Sequence, residues 1–300
     1  MNTNMHRLTV NEPFNFNLTL AFLNGFPPMQ GEQGLRQELR KATRLNGQTV
    51  GFVVRQGGDG LSCELHPERP LQPEEEKAVL ERISFFLGLE IDLKPFYALA
   101  RQDEPFKPVL NALHGFHQPR FLTPFEVACW AVIHQRMPLA HARKVKQAIY
   151  AQYGGDWNGL PAFPEPHELA SLTEADFFKL VPNERKARAL TEITAAFQGV
   201  TTRELVEKPY EEVRDWLRGI YGIGEWSSLF ILVRGLGRIQ NIIVQDRESA
   251  FLKEMLKAAK PVYGNLTPEQ LWQKAAQYGD QQGQWAIYLR SVHALQGEQA

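Results

Sequence analysis

The stretch that decides the fold runs from Leu217 to Asp246 and reads LRGIYGIGEWSSLFILVRGLGRIQNIIVQD. A helix that ends near Ile220 is interrupted by Gly222-Ile223-Gly224, and a second helix begins at Glu225 or Trp226. Glycine tolerates positive φ and lets the backbone come close to another molecule, so the pattern predicts two helices joined by a tight hairpin. Ile223 is expected to face the core, and the free N–H groups of the second helix would form an anion site.

A carboxylate follows this hairpin at the end of an apolar run. Ile242–Val244 precede Gln245-Asp246, so we expect Asp246 to be partly buried. Buried carboxylates are costly unless they are used or paired. Asp246 is therefore a candidate catalytic residue, or the N-cap of a helix that begins near Glu248, and the two roles are compatible. The Gly-Ile-Gly turn by itself is also compatible with an ordinary connection between helices.

The first third of the chain is rich in strand patterns. Apolar and polar residues alternate over Phe14–Leu20, which is typical of a strand. Asn46-Gly47 is a strong hairpin signal. Three further strands are predicted at Glu38–Leu45, Gln48–Arg55 and Leu61–His66. Helical spacing over Glu74–Leu89 then predicts a helix that covers this antiparallel meander.

Helical patterns dominate from about residue 94. Helix starts are marked by capping-box sequences at Thr123-Pro124-Phe125-Glu126, Thr173-Glu174-Ala175-Asp176 and Thr267-Pro268-Glu269-Gln270. The predicted fold class is mostly α with an N-terminal α+β domain. Residues 1–90 form an antiparallel sheet domain, and residues 91–300 form a two-part helical bundle that carries the hairpin and the active-site cleft.

Composition excludes several classes of protein. Two cysteines, Cys63 and Cys129, cannot supply four thiolates for an iron–sulfur cluster or an all-cysteine zinc site, nor a disulfide scaffold. The eight histidines show no metal-ligand spacing, so no metal is expected. The chain shows no apolar run of transmembrane length and no signal-peptide pattern, and we expect a cytoplasmic protein with no membrane contact.

The hairpin followed by an aspartate resembles the helix-hairpin-helix DNA glycosylase superfamily, whose signature is L-x-x-[IL]-P-G-[IV]-G-x-x-[TS]-A and then an aspartate. Within it, the chain is most similar to the 3-methyladenine DNA glycosylase II branch, which has a sheet domain before its helical body. The resemblance covers nearly the whole chain. Tyr221 departs from it where the hairpin usually has proline, and Glu225 places an acid close to the expected phosphate.

The resemblance implies a role for each matching residue. Asp246 corresponds to the catalytic carboxylate, which stabilises an oxocarbenium-like sugar or activates water. Trp226 lies where the lyase branch has a lysine that forms a Schiff base, which implies a monofunctional enzyme. The residues implied to line the base pocket are Trp226, Phe22, Phe230 and Trp285, each of which is also compatible with a core position. An aromatic pocket suits a cationic methylated purine.

DNA contacts are implied at the hairpin residues Gly222, Ile223 and Gly224 and at Gln135 and Arg136. Arg136 falls at the position that fills the gap left by a flipped base, although it is also compatible with a solvated helix end. The cluster Arg185, Lys186 and Arg188 is either part of this surface or a solvated helix face. Contacts through backbone amides would let a chain of net charge −1 hold DNA.

The implied function is excision of alkylated bases of the 3-methyladenine and 7-methylguanine type from duplex DNA, by base flipping and Asp-assisted hydrolysis of the N-glycosidic bond. We expect a monomer acting at the nucleoid without a cofactor for the chemistry, and the resemblance allows a monovalent cation at the hairpin carbonyls near Ile220 and Ile223. Two alternatives stay open: a glycosylase for deaminated bases such as hypoxanthine, and a non-catalytic DNA module that binds lesions.

Overall fold

The computed structural model describes residues 5–58, 60–240 and 250–296. The strands are β1 (Met5–Leu8), β2 (Gly34–Leu35), β3 (Glu38–Leu45), β4 (Gln48–Gly57), β5 (Gly60–Pro67), β6 (Gly155–Trp157) and β7 (Leu160–Ala162). The helices are α1 (Phe16–Gly25), α2 (Pro73–Leu87), α3 (Lys94–Ala100), α4 (Lys107–Ala112), α5 (Pro124–Ile133), α6 (Leu139–Tyr153), α7 (Glu174–Leu180), α8 (Glu184–Gln198), α9 (Thr202–Glu207), α10 (Tyr210–Gly219), α11 (Glu225–Gly235), α12 (Ala250–Tyr263), α13 (Pro268–Ala276) and α14 (Gln282–Gln296).

These elements belong to two compact units whose segments alternate along the chain. The first unit contains the described residues of Met1–Thr9, Phe26–Phe86 and Arg120–Gly237, and the second contains those of Val10–Gly25, Leu87–Pro119 and Arg238–Ala300. This division differs from the predicted boundary between residues 90 and 91. That boundary rests on the change from strand to helix patterns, and it stays a prediction about how the chain is organised.

An antiparallel sheet with the strand order β1-β5-β4-β3-β2 lies in the first unit. The three central strands match the predicted ones closely, because β3 and β4 pair from Glu38 opposite Arg55 to Leu45 opposite Gln48 across the Asn46-Gly47 turn. Gly51 of β4 leaves room for the indole of Trp157, which a β-carbon at this position would overlap. The predicted fold class, a sheet followed by helices, is confirmed.

The helical part of the first unit is built around α5, in which every residue is buried. This helix packs against α8 and α11. Its predicted start is confirmed, since the Thr123 hydroxyl accepts a hydrogen bond of 3.1 Å from the Glu126 amide. The Glu126 carboxylate, however, is buried and binds Nζ of Lys146 at 2.7 Å. An acidic residue three positions after an N-cap can therefore take part in a buried ion pair.

The second unit is helical, and α14 packs against α1, α3, α4 and α12. Here the strand predicted at Phe14–Leu20 is wrong, because α1 begins at Phe16. The buried residues Phe16, Thr19, Leu20 and Leu23 follow helical spacing. Asn15 supports the start, since its side-chain oxygen accepts a 3.2 Å hydrogen bond from the Leu18 amide. The short alternating pattern is compatible with a strand and with a helix, and its continuation to Leu23 at helical spacing favours the helix.

Candidate active site

The hairpin between α10 and α11 has the predicted form. The helix α10 ends at Gly219, and the Ile223 amide donates a 3.1 Å hydrogen bond to the Ile220 carbonyl, which closes the turn. Gly222 has φ +87°, and a β-carbon on it would lie 2.5 Å from Cβ of Ala189 in α8. Glycine is therefore required at Gly222 for both its backbone conformation and its close packing.

The second glycine of the hairpin has a different role. Gly224 is the N-cap of α11 with φ −91°, and a β-carbon there would meet open space. Ile223 between the two glycines is buried, as predicted. The first-turn N–H groups of a helix have no intrahelical partners, so an anion can approach them past Gly224. The exposed carboxylate of Glu225 stands at the same helix start and weakens the attraction for an anion.

A loop of residues 134–138 connects α5 to α6 and meets this hairpin. Nε2 of Gln135 donates to the Gly222 carbonyl at 2.8 Å and to Oγ of Ser227 at 3.0 Å. Arg136 is exposed and has φ +48°, a backbone conformation that is uncommon for a residue with a side chain. The structure therefore brings Gln135 and the hairpin together and presents Arg136 beside them.

The start of α8 holds the same loop from another side. Nζ of Lys186 is buried and donates to the Ile133 carbonyl at 2.7 Å, at the C-terminal end of α5. Burial lowers the pKa of this ammonium group. The pKa of His134 is also lowered, first by burial and then by the nearby Lys186 charge. Lys186 thus stabilises the end of a helix, where a cation is favoured.

These segments surround a groove of about 980 Å³, which we call the hairpin groove. It is lined by loop 134–138 with His141, by the start of α8 with the residues before it, and by the first turn of α11 with Gly224. Its lining carries the cationic side chains Arg136, Arg185 and Lys186 and the carboxylate of Glu225. Because Nζ of Lys186 is buried against the Ile133 carbonyl, the exposed positive charge of the groove comes from Arg136 and Arg185. Together with the first-turn amides of α11, these side chains suit a phosphate backbone.

Within the first unit, a row of aromatic side chains extends from this groove towards the interior. Trp226 lines the groove, is 38% exposed, and stacks on Phe230 with ring centroids 5.1 Å apart and planes 10° apart. Phe230 meets the edge of Phe121 at 6.2 Å, and Phe121 meets Phe26 at 5.8 Å. Phe26 and Phe121 were not expected from the sequence. No local sequence pattern marks these two residues, because they contact Phe230 and each other only where distant segments of the chain meet.

The other two predicted pocket residues, Phe22 and Trp285, lie in the second unit. Phe22 is partly buried and lies 5.6 Å from Phe116, measured between ring centroids. Trp285 is fully buried and stacks on Tyr278 at 5.5 Å. The structure thus gives Trp285 a core environment within its own unit, and its role in a base pocket stays a prediction.

Trp285 ends a chain of hydrogen bonds that reaches a buried carboxylate. Its indole N–H donates to the Tyr263 hydroxyl at 2.9 Å. The Tyr263 and Tyr278 hydroxyls both donate to Oδ2 of Asp103, at 2.7 and 2.9 Å. Burial, followed by the neighbouring charged or hydroxyl groups, raises the pKa of both tyrosines, so they remain neutral donors. This network fixes the orientation of the Trp285 ring.

Two expectations about the chemistry fall outside this geometry. Asp246 lies outside the described residues, so its catalytic role stays a prediction. The cation expected near the carbonyls of Ile220 and Ile223 stays a prediction. The Ile220 oxygen accepts a hydrogen bond from the Ile223 amide, and its second lone pair remains available. Over the described ranges, no group of three or more His, Cys, Asp or Glu side chains is arranged to hold a metal ion.

Membrane association also has a structural test. Throughout residues 5–58, 60–240 and 250–296, no helix combines the length and the apolar character needed to cross a bilayer.

The thiols of Cys63 and Cys129 are both buried and unpaired. Burial, with a smaller contribution from Glu64, raises the pKa of the Cys63 thiol to about 12, so this thiol is unreactive at neutral pH.

No protein-family model matches the chain. A curated DNA-3-methyladenine glycosylase of Bacillus subtilis is 28% identical over 178 residues, which cover 57% of this chain and 59% of the relative. The chain therefore matches less than two thirds of that relative's length.

Two solved structures are similar over nearly their whole length. A 3-methyladenine DNA-glycosylase of Archaeoglobus fulgidus superposes with a TM-score of 0.70 at 21% identity, over 95% of this chain and 96% of that one. An 8-oxoguanine glycosylase/lyase of Clostridium acetobutylicum, solved with double-stranded DNA containing cytosine opposite 8-oxoG, gives 0.62 at 16% identity, over 95% and 93%. Together with the hairpin geometry, these likenesses show that the chain has the fold of these two DNA glycosylases.

Proposed function

We propose that this protein is a monofunctional DNA glycosylase that removes alkylated bases from duplex DNA. The observation that carries the proposal is Trp226, an exposed aromatic side chain at the first turn of α11, directly after the hairpin. Its position is that of the Schiff-base lysine in the lyase branch, and an indole cannot form a covalent bond to the sugar. The name of the Bacillus subtilis relative supports an alkylated purine as the substrate.

Binding would begin at the hairpin groove. The amides at the start of α11 would hold one backbone phosphate, and Arg185 would neutralise neighbouring charge. The DNA complex of the Clostridium acetobutylicum neighbour supports a DNA partner for this fold. Arg136 would fill the space left by the flipped nucleotide, which offsets part of the cost of unstacking.

Recognition of the base would rest on the Trp226 and Phe230 pair. Phe230 covers one face of the Trp226 ring, so the exposed side of the indole is available to stack on a flipped base. Methylation at a purine ring nitrogen gives that base a positive charge. An electron-rich indole attracts a cation more strongly than it attracts a neutral ring, so the pair would favour alkylated over normal bases.

Bond cleavage would depend on Asp246. Departure of the base leaves an oxocarbenium-like sugar, and a carboxylate close to the anomeric carbon stabilises that positive charge or activates the attacking water. The N-glycosidic bond breaks with its electron pair leaving on the base, which neutralises the positive charge of the alkylated ring. Water supplies the hydroxyl of the resulting abasic sugar, and its remaining proton passes to the Asp246 carboxylate and then to solvent. A cationic base is a good leaving group, so the step needs no separate general acid.

The proposal is tested by base release from methylated duplex DNA. Freed bases are separated by chromatography, and strand nicking is measured before and after alkali. We expect free methylpurines from the wild type, with nicks appearing only after alkali. Trp226→Ala should lower release about 5- to 150-fold, since stacking of one base on an aromatic ring contributes about 1–3 kcal/mol.

A matched control comes from Phe178→Ala, because Phe178 is another exposed aromatic residue, 42% accessible, on helix α7. This variant should release bases at the wild-type rate. Release of hypoxanthine without methylpurines would identify deaminated bases as the substrate class. Lesion binding without release of any base would instead identify a non-catalytic lesion-binding module, and nicking before alkali would contradict a monofunctional enzyme.

A further inference from the structure

The loop that carries Arg136 is held in an unusual backbone conformation. Within it, the Gln135 amide donates to the Val132 carbonyl at 3.2 Å and the Met137 amide donates to the His134 carbonyl at 3.2 Å, so the turn is tight. Arg136 takes φ +48° inside this turn. Because such a conformation is unfavourable for a residue with a β-carbon, it persists only where neighbouring contacts fix the chain.

The contacts that fix this loop lead to the hairpin. The side-chain amide of Gln135 has two N–H groups, and its nitrogen meets two acceptors, the Gly222 carbonyl and Oγ of Ser227. Both acceptors lie in closely packed surroundings, since a β-carbon on Gly222 would overlap Ala189 and Ser227 is buried in the first turn of α11. One side chain therefore joins two segments that are 87 residues apart in sequence.

The two segments have separate roles in the proposed function. In that function the hairpin binds a backbone phosphate, and Arg136 occupies the gap that the flipped nucleotide leaves in the duplex. We propose that Gln135 is a positioning residue that locks the Arg136 loop to the hairpin of Gly222–Gly224, so that phosphate capture and insertion of Arg136 occur as one rigid event. This inference rests on the proposed function, and it concerns discrimination between flipped and stacked DNA rather than general affinity.

Gln135→Met tests the inference, because methionine has nearly the same length and no donor. Affinity is measured for an undamaged duplex and for one with a reduced abasic site, and flipping is followed by the fluorescence of 2-aminopurine beside the site. We expect affinity for the undamaged duplex to change by less than about twofold. Affinity for the abasic-site duplex should fall about tenfold with the loss of two hydrogen bonds, and the fluorescence rise should fall with it.

Coupling to Arg136 distinguishes positioning from a merely structural role. Arg136→Ala should give the same loss on the abasic-site duplex, and the double variant should be no worse than either single one, because both remove the same event. Additive losses would overturn the inference, as would an equal loss on both duplexes. Gln56→Met is the matched control, since Gln56 is an exposed glutamine of β4, and it should bind both duplexes like the wild type.

A second variant keeps the test valid if Gln135→Met does not fold. Ser227→Ala removes one acceptor and leaves the Gly222 bond, so it should cause about a threefold loss that is again confined to the abasic-site duplex. If Ser227→Ala and Gln135→Met prefer the abasic-site duplex as strongly as the wild type does, the proposed role of Gln135 is overturned and the proposed function still stands. A wild type that binds both duplexes equally would overturn the proposed function together with this inference.

Discussion

Gly222 shows at the scale of a single residue how the hairpin constrains its sequence. Its φ of +87° and its contact with Ala189 both exclude a β-carbon. We expect Gly222→Ala to lower the free energy of unfolding by about 2 kcal/mol or more, since the left-handed conformation alone costs about 1–2 kcal/mol. Gly224→Ala is the control, with φ −91° and open space around it, and should change stability by less than about 0.5 kcal/mol. Equal unfolding midpoints in denaturant for the two variants would contradict this account.

At this scale the sequence predicted the hairpin glycines and the burial of Ile223, because their requirements are local. It did not predict that Gln135 binds the Gly222 carbonyl or that Phe121 lies against Phe230. Those contacts join segments that are distant in sequence, and no local pattern encodes them. For the same reason the sequence did not predict that Tyr263 and Tyr278 pack around Trp285, whose role in a base pocket stays a prediction.

At the scale of secondary-structure elements, short-range signals were reliable where a chemical mechanism supports them. The caps at Thr173 and Thr267 form reciprocal capping boxes with Asp176 and Gln270. The alternation in Phe14–Leu20 was misleading because seven residues are too few to separate a period of two from one of 3.6. A longer window that included Leu23 favours the helix.

The start of α2 gives a prediction at the same scale. Glu75 accepts two hydrogen bonds from Arg69, at 2.8 and 2.9 Å, one from Asn46 at 3.1 Å and one from the Gln72 amide at 3.1 Å. These bonds, with Arg69 contributing most, lower the pKa of Glu75 from 4.5 to about 2. The unfolded chain binds this proton more tightly, so the stabilisation is present above pH 4.5 and is lost as the pH falls towards 2.

We therefore expect Glu75→Gln to lower the melting temperature at pH 6. The difference from the wild type should shrink steadily below pH 4.5, as measured by thermal unfolding followed by circular dichroism. Glu74→Gln, one residue away in the same helix, is the charge-matched control and should not reproduce this pH dependence. A difference between wild type and Glu75→Gln that is constant from pH 6 to pH 3 would show that Glu75 makes no such contribution.

At the scale of the whole molecule, the change from strand to helix patterns predicted the fold class. It did not predict that residues 10–25 and 87–119 belong to one unit with the C-terminal helices. Membership in a unit depends on which buried faces meet, and these faces lie on segments that are distant in sequence. The near-neutral net charge is consistent with the groove, where Arg136, Arg185 and Lys186 are concentrated on a chain whose overall charge is −1.

The most direct measurement is single-turnover release of one alkylated purine from a defined duplex by wild type and Asp246→Asn, with the affinity for the same duplex measured alongside. We expect release by the wild type and a loss of about 100-fold or more in Asp246→Asn, with binding retained, since one charged group contributes about 3–4 kcal/mol to the transition state. Release by Asp246→Asn at the wild-type rate would contradict the role of Asp246. No release by a wild type that still binds the duplex would contradict the proposed glycosylase activity.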